Sequence, residues 1–138
     1  MKMTTKARYA LRALLRLAVS DPQRPISLQQ LSVTEEISVE YLNQLFYRLR
    51  KAGIVRAVRG PAGGFVLDRT PAEISVKDVL DAVGEEISIA SAEDEDPAGP
   101  QSAASNLWEE AAGRVTSYFS QLTLQGILEG TGQPLGEK

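Results

Sequence analysis

The chain has 138 residues, 43% of them hydrophobic, a formal net charge of −3, and neither cysteine nor histidine. That length supports one compact domain with an appendage, and the composition excludes disulfides, thiolate metal sites and imidazole acid–base chemistry. Residues 1–60 carry 11 Lys and Arg against 4 Asp and Glu, while residues 61–138 carry 4 against 14, so a polyanion-binding face is expected on an otherwise acidic body.

Thr4 and Thr5 are candidate caps for a first helix, Lys6 to Ser20, with Leu11, Leu14, Leu15 and Ala18 as its core face. Arg8, Arg12 and Arg16 stand four apart and form a basic stripe; Asp21, Pro22 and Pro25 end the element. Ser27 and Gln30 fit the capping box of a short second helix, Leu28 to about Thr34, and a tight turn follows at Glu35–Ile37. Ser38 caps a third helix, Val39 to Ala52, which Gly53 stops. Its apolar face is Leu42, Leu45, Phe46 and Leu49; Glu40, Asn43, Gln44, Tyr47 and Lys51 lie opposite. Two helices joined by a short turn, the second with a polar outer face, make a helix-turn-helix pattern.

Ile54–Val58 and Phe65–Leu67 read as two strands around an Arg59–Gly64 tip. Ser75 and Asp78 cap a fourth helix, Val76 to Val83, ended by Gly84. Residues 88–105 show no periodic apolar face and read as a mobile loop. A long helix from Asn106 to about Leu122 carries Leu107, Trp108, Ala111, Val115, Phe119 and Leu122 as a stripe that needs a partner surface, either its own domain or a second copy. Thr123 caps a last helix, Leu124 to Glu129, and the tail after Gly130 reads as frayed. No apolar run reaches the ~20 residues that span a bilayer, and the N-terminus lacks the apolar region of a signal peptide, so a cytoplasmic location, at the nucleoid, is expected.

Helix and hairpin together suit duplex DNA, where cations meeting phosphates give affinity and groups meeting base edges give choice. The amides of Asn43 and Gln44 match the paired donor and acceptor of adenine. Glu40 suits a cytosine amine or repels wrong sites, and Tyr41 and Tyr47 suit phosphate. Arg56 suits phosphate, and Arg59 a narrow minor groove. Gly60 and Gly63 permit tight backbone geometry at the tip, and Pro61 stiffens it. Thr5, Lys6, Arg8, Tyr9, Ser38 and Arg48 complete the candidate DNA-contacting set. A solvated helix followed by an ordinary hairpin would share the pattern, as would a protein-docking module. The glycine-rich tip lacks the Lys-Ser/Thr ending of a P-loop. No catalytic constellation is present, so an enzyme is not expected.

The stretches TTKARYALRALLRLA, ISVEYLNQLFYRLRKAGIVRAVRGPAGGFVL and PAEISVKDVLDAV, followed by LW at 107–108 and LTL at 122–124, resemble bacterial winged-helix regulators of the IscR, NsrR and CymR type. The resemblance implies a mainly α fold with a small β wing. It divides the chain into a winged helix-turn-helix domain at 1–84, a sensor-type loop at 85–105, a dimerisation helix and short terminal helix at 106–130, and a flexible tail at 131–138. It further implies a homodimer with swapped long helices, and recognition of a palindromic promoter site through the third helix and the Arg59 wing, normally as a repressor. The family position at Asn43 is often acidic, so this chain is expected to read different or broader sites.

Many relatives hold a 2Fe-2S or 4Fe-4S cluster on three cysteines spaced C-x5-C-x5-C in the loop. Here Ala92, Ala98 and Ala104 stand at that spacing, by chance or as replaced cysteines. A register anchored on Trp108 would instead put Asp96, Ser102 and Ser105 near ligand positions. Arg8 and Arg12 cannot serve as the first-helix ligands that some relatives use. The chain as written is therefore expected to hold no cysteine-ligated cluster, whereas a cysteine-containing parent is expected to hold a 2Fe-2S or 4Fe-4S cluster. The acidic run Glu93–Asp96 reads as solvated loop rather than a metal site. A cluster-independent regulator that answers to a metabolite or a partner protein remains the alternative.

Overall fold

Side-chain caps set nearly every helix start in the computed structural model, which describes residues 4–87 and 100–130. α1 (Thr5–Ala18) begins where the Thr4 hydroxyl accepts from the Ala7 amide. α2 (Leu28–Glu35) carries a full capping box, Gln30 N to Ser27 Oγ at 3.1 Å and Ser27 N to Gln30 Oε1 at 2.8 Å. Glu36 then turns the chain in the left-handed region, with φ 57°. Ser38 accepts from the Tyr41 amide at 3.1 Å and starts α3 (Val39–Lys51). Strands β1 (Val55–Val58) and β2 (Gly64–Leu67) pair antiparallel, Val55 opposite Leu67 and Val58 opposite Gly64. A 3-10 turn at Pro71–Glu73 leads to α4 (Val76–Ala82), capped by a Ser75–Asp78 box. In that turn the Thr70 amide and hydroxyl both donate to Glu73, and with Arg69 nearby they hold its carboxyl below the usual glutamate range. α5 (Pro100–Gln121) and α6 (Leu124–Leu128, capped by Thr123) complete the chain.

Two features depart from the sequence expectation. The core face of α1 is carried by Ala7, Ala10, Ala13, Leu14 and Leu17, while Leu11, Leu15 and Ala18 are only partly covered. Alanines let the neighbouring helices approach α1 closely, and Leu11 and Leu15 flank the seam that Leu14 and Leu17 fill. The long helix begins at Pro100, not Asn106, and takes in part of the stretch read as loop. Proline is at home in a first helical turn and alanine favours helix; Ala103 is exposed and Ala104 half-covered, so burial imposed no apolar period on this end. Ala104 therefore lies on α5. Ala92, Ala98, the run Glu93–Asp96 and the tail 131–138 lie outside the described residues.

The main core packs α1, α2, α3 and the hairpin around Leu14, Leu31, Leu42, Phe46, Leu49 and Ile54, all essentially inaccessible. A second cluster, Ala7, Val76, Leu80 and Leu122 with Phe119 and Ile127, joins α1 and α4 to the end of α5 and to α6. Two isolated bridges tie remote segments. Ile26 pairs with Phe65 through bonds of 3.1 and 2.8 Å, and Ser75 pairs with Thr123 through Val76 N to Leu122 O and Leu124 N to Ile74 O. Among the described residues no helix is long and apolar enough to cross a membrane.

The first bridge makes Gly64 a demanding position, because a Cβ there would lie 2.4 Å from the Ile26 carbonyl carbon. Gly64→Ala is expected to destabilise the protein by about 2 kcal/mol through overpacking, read as a fall of roughly 8 °C in melting temperature.

Candidate nucleic-acid interface

α3 presents its polar face because its other face is fully consumed. Leu42, Leu45, Phe46 and Leu49 are buried, which leaves Glu40, Asn43, Gln44, Tyr47 and Lys51 exposed along one side. Tyr47 is 67% exposed, and the Lys51 ammonium stands 5.9 Å from its ring centroid. Tyr41 is half-buried and meets Tyr9 of α1 edge to face, with centroids 5.8 Å apart. Arg12 lies over the Tyr9 ring, 5.3 Å from its centroid.

The hairpin is fixed against the same helix by Phe65, which meets Phe46 edge to face at 4.9 Å. Its tip is exposed at Arg59, Gly60 and Pro61. Gly60 adopts φ 115°, and the Gly63 amide closes the turn onto the Gly60 carbonyl at 2.9 Å. Arg59 has no ion-pair or hydrogen-bond partner among the described residues. A permanent cation is thus held on an exposed, hydrogen-bonded turn of the same body as an exposed amide-bearing helix face.

The other candidates divide. Thr5 and Arg8 are exposed near the start of α1. Ser38 is exposed, but its hydroxyl caps α3. Arg56 stands 3.5 Å from Asp68, both well exposed, in a pair that solvent screens. Lys6 donates to the Gly84 carbonyl at 3.4 Å, and Arg48 to the Val83 carbonyl at 3.1 Å. The expected basic stripe is broken: Arg16 Nε bonds Glu35 at 2.8 Å, and Arg12 donates to the Glu35 carbonyl at 2.6 Å and faces its carboxylate at 3.6 Å. Only Arg8 of the three remains without an ion pair among the described residues. Sequence reasoning missed Glu35. The available signal was its sign, since an acidic residue at the C-terminal end of a helix opposes the helix dipole and calls for cations nearby. Among the described residues no group of three His, Cys, Asp or Glu side chains could hold a metal ion. At the cluster positions within α5, Ala104 offers a methyl, and Ser102 and Ser105 offer hydroxyls. The whole chain contains no thiolate or imidazole, a donor set that does not fit an iron–sulfur cluster.

An exposed recognition-type helix and a basic two-stranded wing, on a mainly helical scaffold with a long C-terminal helix, define a winged helix-turn-helix DNA-binding protein. The chain belongs to the Rrf2 family, described as an iron-dependent transcriptional regulator, whose profile matches residues 3–130. It is 35% identical over 131 residues to the HTH-type transcriptional regulator IscR of Xenorhabdus nematophila, covering 94% of this chain and 80% of that one. It is 38% identical over 130 residues to a putative HTH-type transcriptional regulator of Haemophilus influenzae, covering 93% and 87%. Among solved structures it is similar to CymR, the global cysteine regulator of B. subtilis, with TM-score 0.78, 34% identity and coverage of 92% and 95%. It is also similar to IscR of T. potens, with TM-score 0.76, 28% identity and coverage of 97% and 92%. These relatives are transcriptional regulators, and the chain is a regulator of that kind rather than an enzyme.

Glu35 is 9% accessible while its two arginines are nearly half exposed. Glu35→Ala is expected to cost about 1–2 kcal/mol, because the arginines recover hydration but the charge-assisted bonds are lost. Urea unfolding checks it, and a loss below 0.5 kcal/mol (roughly the scatter of neutral surface changes) would show the seam to be ornamental.

Proposed function

We propose that this protein is a homodimeric regulator that represses transcription by occupying a palindromic promoter site, in the cytoplasm at the nucleoid. The observation that carries the reading is the joint presentation of the exposed Asn43–Gln44 face and the exposed Arg59 tip, which the Phe46–Phe65 contact holds in fixed relation. In this reading Asn43 and Gln44 meet base edges, Arg59 enters a minor groove, and Thr5, Arg8, Tyr47, Lys51 and Arg56 meet phosphate. Residues up to Gly84 form the DNA-binding unit.

α5 supplies the dimer contact. Leu107 is 55% exposed, Trp108 37% and Tyr118 49%, an apolar surface larger than a solvated helix needs. A second copy covering it would present two recognition helices to the two halves of a palindrome. With oxygen donors in place of thiolates, the chain regulates without a cysteine-ligated cluster, and its affinity follows the population of the DNA-competent dimer.

DNA binding should weaken steeply with salt as counterions are released. Arg59→Ala should lower affinity about tenfold at physiological salt, and Asn43→Ala should shift sequence preference more than overall affinity; fluorescence anisotropy on a selected operator and on scrambled duplex measures both. An unchanged affinity for Arg59→Ala would remove the wing from the interface. Trp108→Ala should shift the protein toward monomer in light scattering at micromolar concentration, with the DNA-binding unit still folded.

A further inference from the structure

The C-terminal end of α4 is ringed by cations that α4 does not itself supply. Its last turn holds no basic residue, yet Arg48 of α3 donates to the Val83 carbonyl at 3.1 Å and Lys6 of α1 to the Gly84 carbonyl at 3.4 Å. Both therefore meet the negative pole of the helix, where carbonyls lack intrahelical partners. Gly84 turns the chain with φ 75°, and a Cβ placed there would come within 3.1 Å of the Arg48 guanidinium. One residue on, Glu85 accepts from the Thr4 hydroxyl, and its own amide returns to the Leu80 carbonyl at 2.8 Å. The stretch Val83–Glu85 is thus clamped from the recognition helix on one side and from the start of α1 on the other.

We infer that Arg48 is a positioning residue: it sets the recognition helix against the stem Val83–Glu85 and does not grip DNA itself. The charge of Arg48 lies on the helix that enters the groove, but its guanidinium is directed to a carbonyl of another element. Movement of the stem is then passed to α3 through this 3.1 Å hydrogen bond, beside the apolar core that Val79 and Val83 share with Leu45 and Leu49, and DNA occupancy in turn holds the stem. The inference rests on α3 being the DNA-reading helix, and it names the residue through which the chain beyond α4 acts on that helix.

Two schemes separate on salt dependence. A lost phosphate contact lowers the slope of log K against log salt by about 0.9, whereas a lost positioning contact leaves the slope unchanged. Arg48→Ala is expected to weaken binding to a selected operator roughly 2- to 30-fold with the slope retained. Gly84→Ala, whose added methyl meets only the ends of the Arg48 and Lys6 side chains, is expected to weaken operator binding in the same range. The double variant should lose no more than the larger single effect, because both break one linkage. A slope reduced by about one ion in Arg48→Ala would overturn the inference and make Arg48 a phosphate ligand. Full additivity of the two effects would overturn it as well. Should Arg48→Ala fail to fold, a folded Gly84→Ala with unchanged operator affinity and unchanged discrimination against scrambled duplex overturns it alone. Arg59→Ala and Asn43→Ala serve as controls: if neither alters DNA binding, the interface itself is misassigned, a failure distinct from that of the clamp.

Discussion

Phe46 and Phe65 meet edge to face on the inner side of the third helix, and the geometry of the surface proposed to face DNA hangs on that contact. Phe46 is 1% accessible and sits in the middle of the apolar stripe of α3, so it cannot shift without disturbing Leu42, Leu45 and Leu49. Phe65 is held from behind by paired backbone bonds to Ile26. A hairpin of two four-residue strands is marginal by itself. Stapled between an aromatic ring and the Ile26 backbone, it becomes a fixed arm whose tip can carry a cation without collapsing onto the protein.

The distribution of positive charge is more selective than the composition suggests. Of the arginines in the basic half, Arg12 and Arg16 serve the α1–α2 seam, Arg48 serves α4, and Arg56 pairs with Asp68. Arg8, Arg24, Arg50 and Arg59 are without ion-pair partners among the described residues. A net charge of +7 over residues 1–60 is therefore not a uniform field. Part of it is neutralised at short range inside the fold, and the remainder, apart from Arg24 between α1 and α2, is concentrated where α1 starts, along α3 and at the wing tip.

Much of this was legible in the sequence because the deciding signals are local. Ser27, Ser38, Ser75 and Thr123 cap helices through bonds three residues long, and the spacing of Leu42, Leu45, Phe46 and Leu49 is imposed by one buried face. The wing was readable from glycines flanked by short apolar runs. What escaped depends on contacts between distant residues. Nothing near Glu35 in sequence announces Arg12 and Arg16, and nothing near Arg48 announces Val83, 35 positions away. The early start of α5 escaped for the opposite reason: residues 102–105 are only serine and alanine, which write no apolar period. The exposed face of α3 was legible as a face, while the assignment of Asn43, Gln44 and Arg59 to particular DNA groups follows from chemistry and family likeness.

The bridge between Ser75 and Thr123 gives the long helix a fulcrum. Leu122 and Leu124 are hydrogen-bonded to the residues that open α4, so α5 is anchored to the DNA-binding body at its C-terminal end. From Leu122 back to Leu107 the helix axis runs about 22 Å, at 1.5 Å per residue. A tilt of about 10° at the fulcrum would swing Leu107 through about 4 Å, roughly three-quarters of the rise of one turn. Leverage of that size converts a small angular adjustment at the C-terminal anchor, where Phe119 and Leu122 also pack on α4, into a sideways shift of the exposed Leu107–Trp108 end.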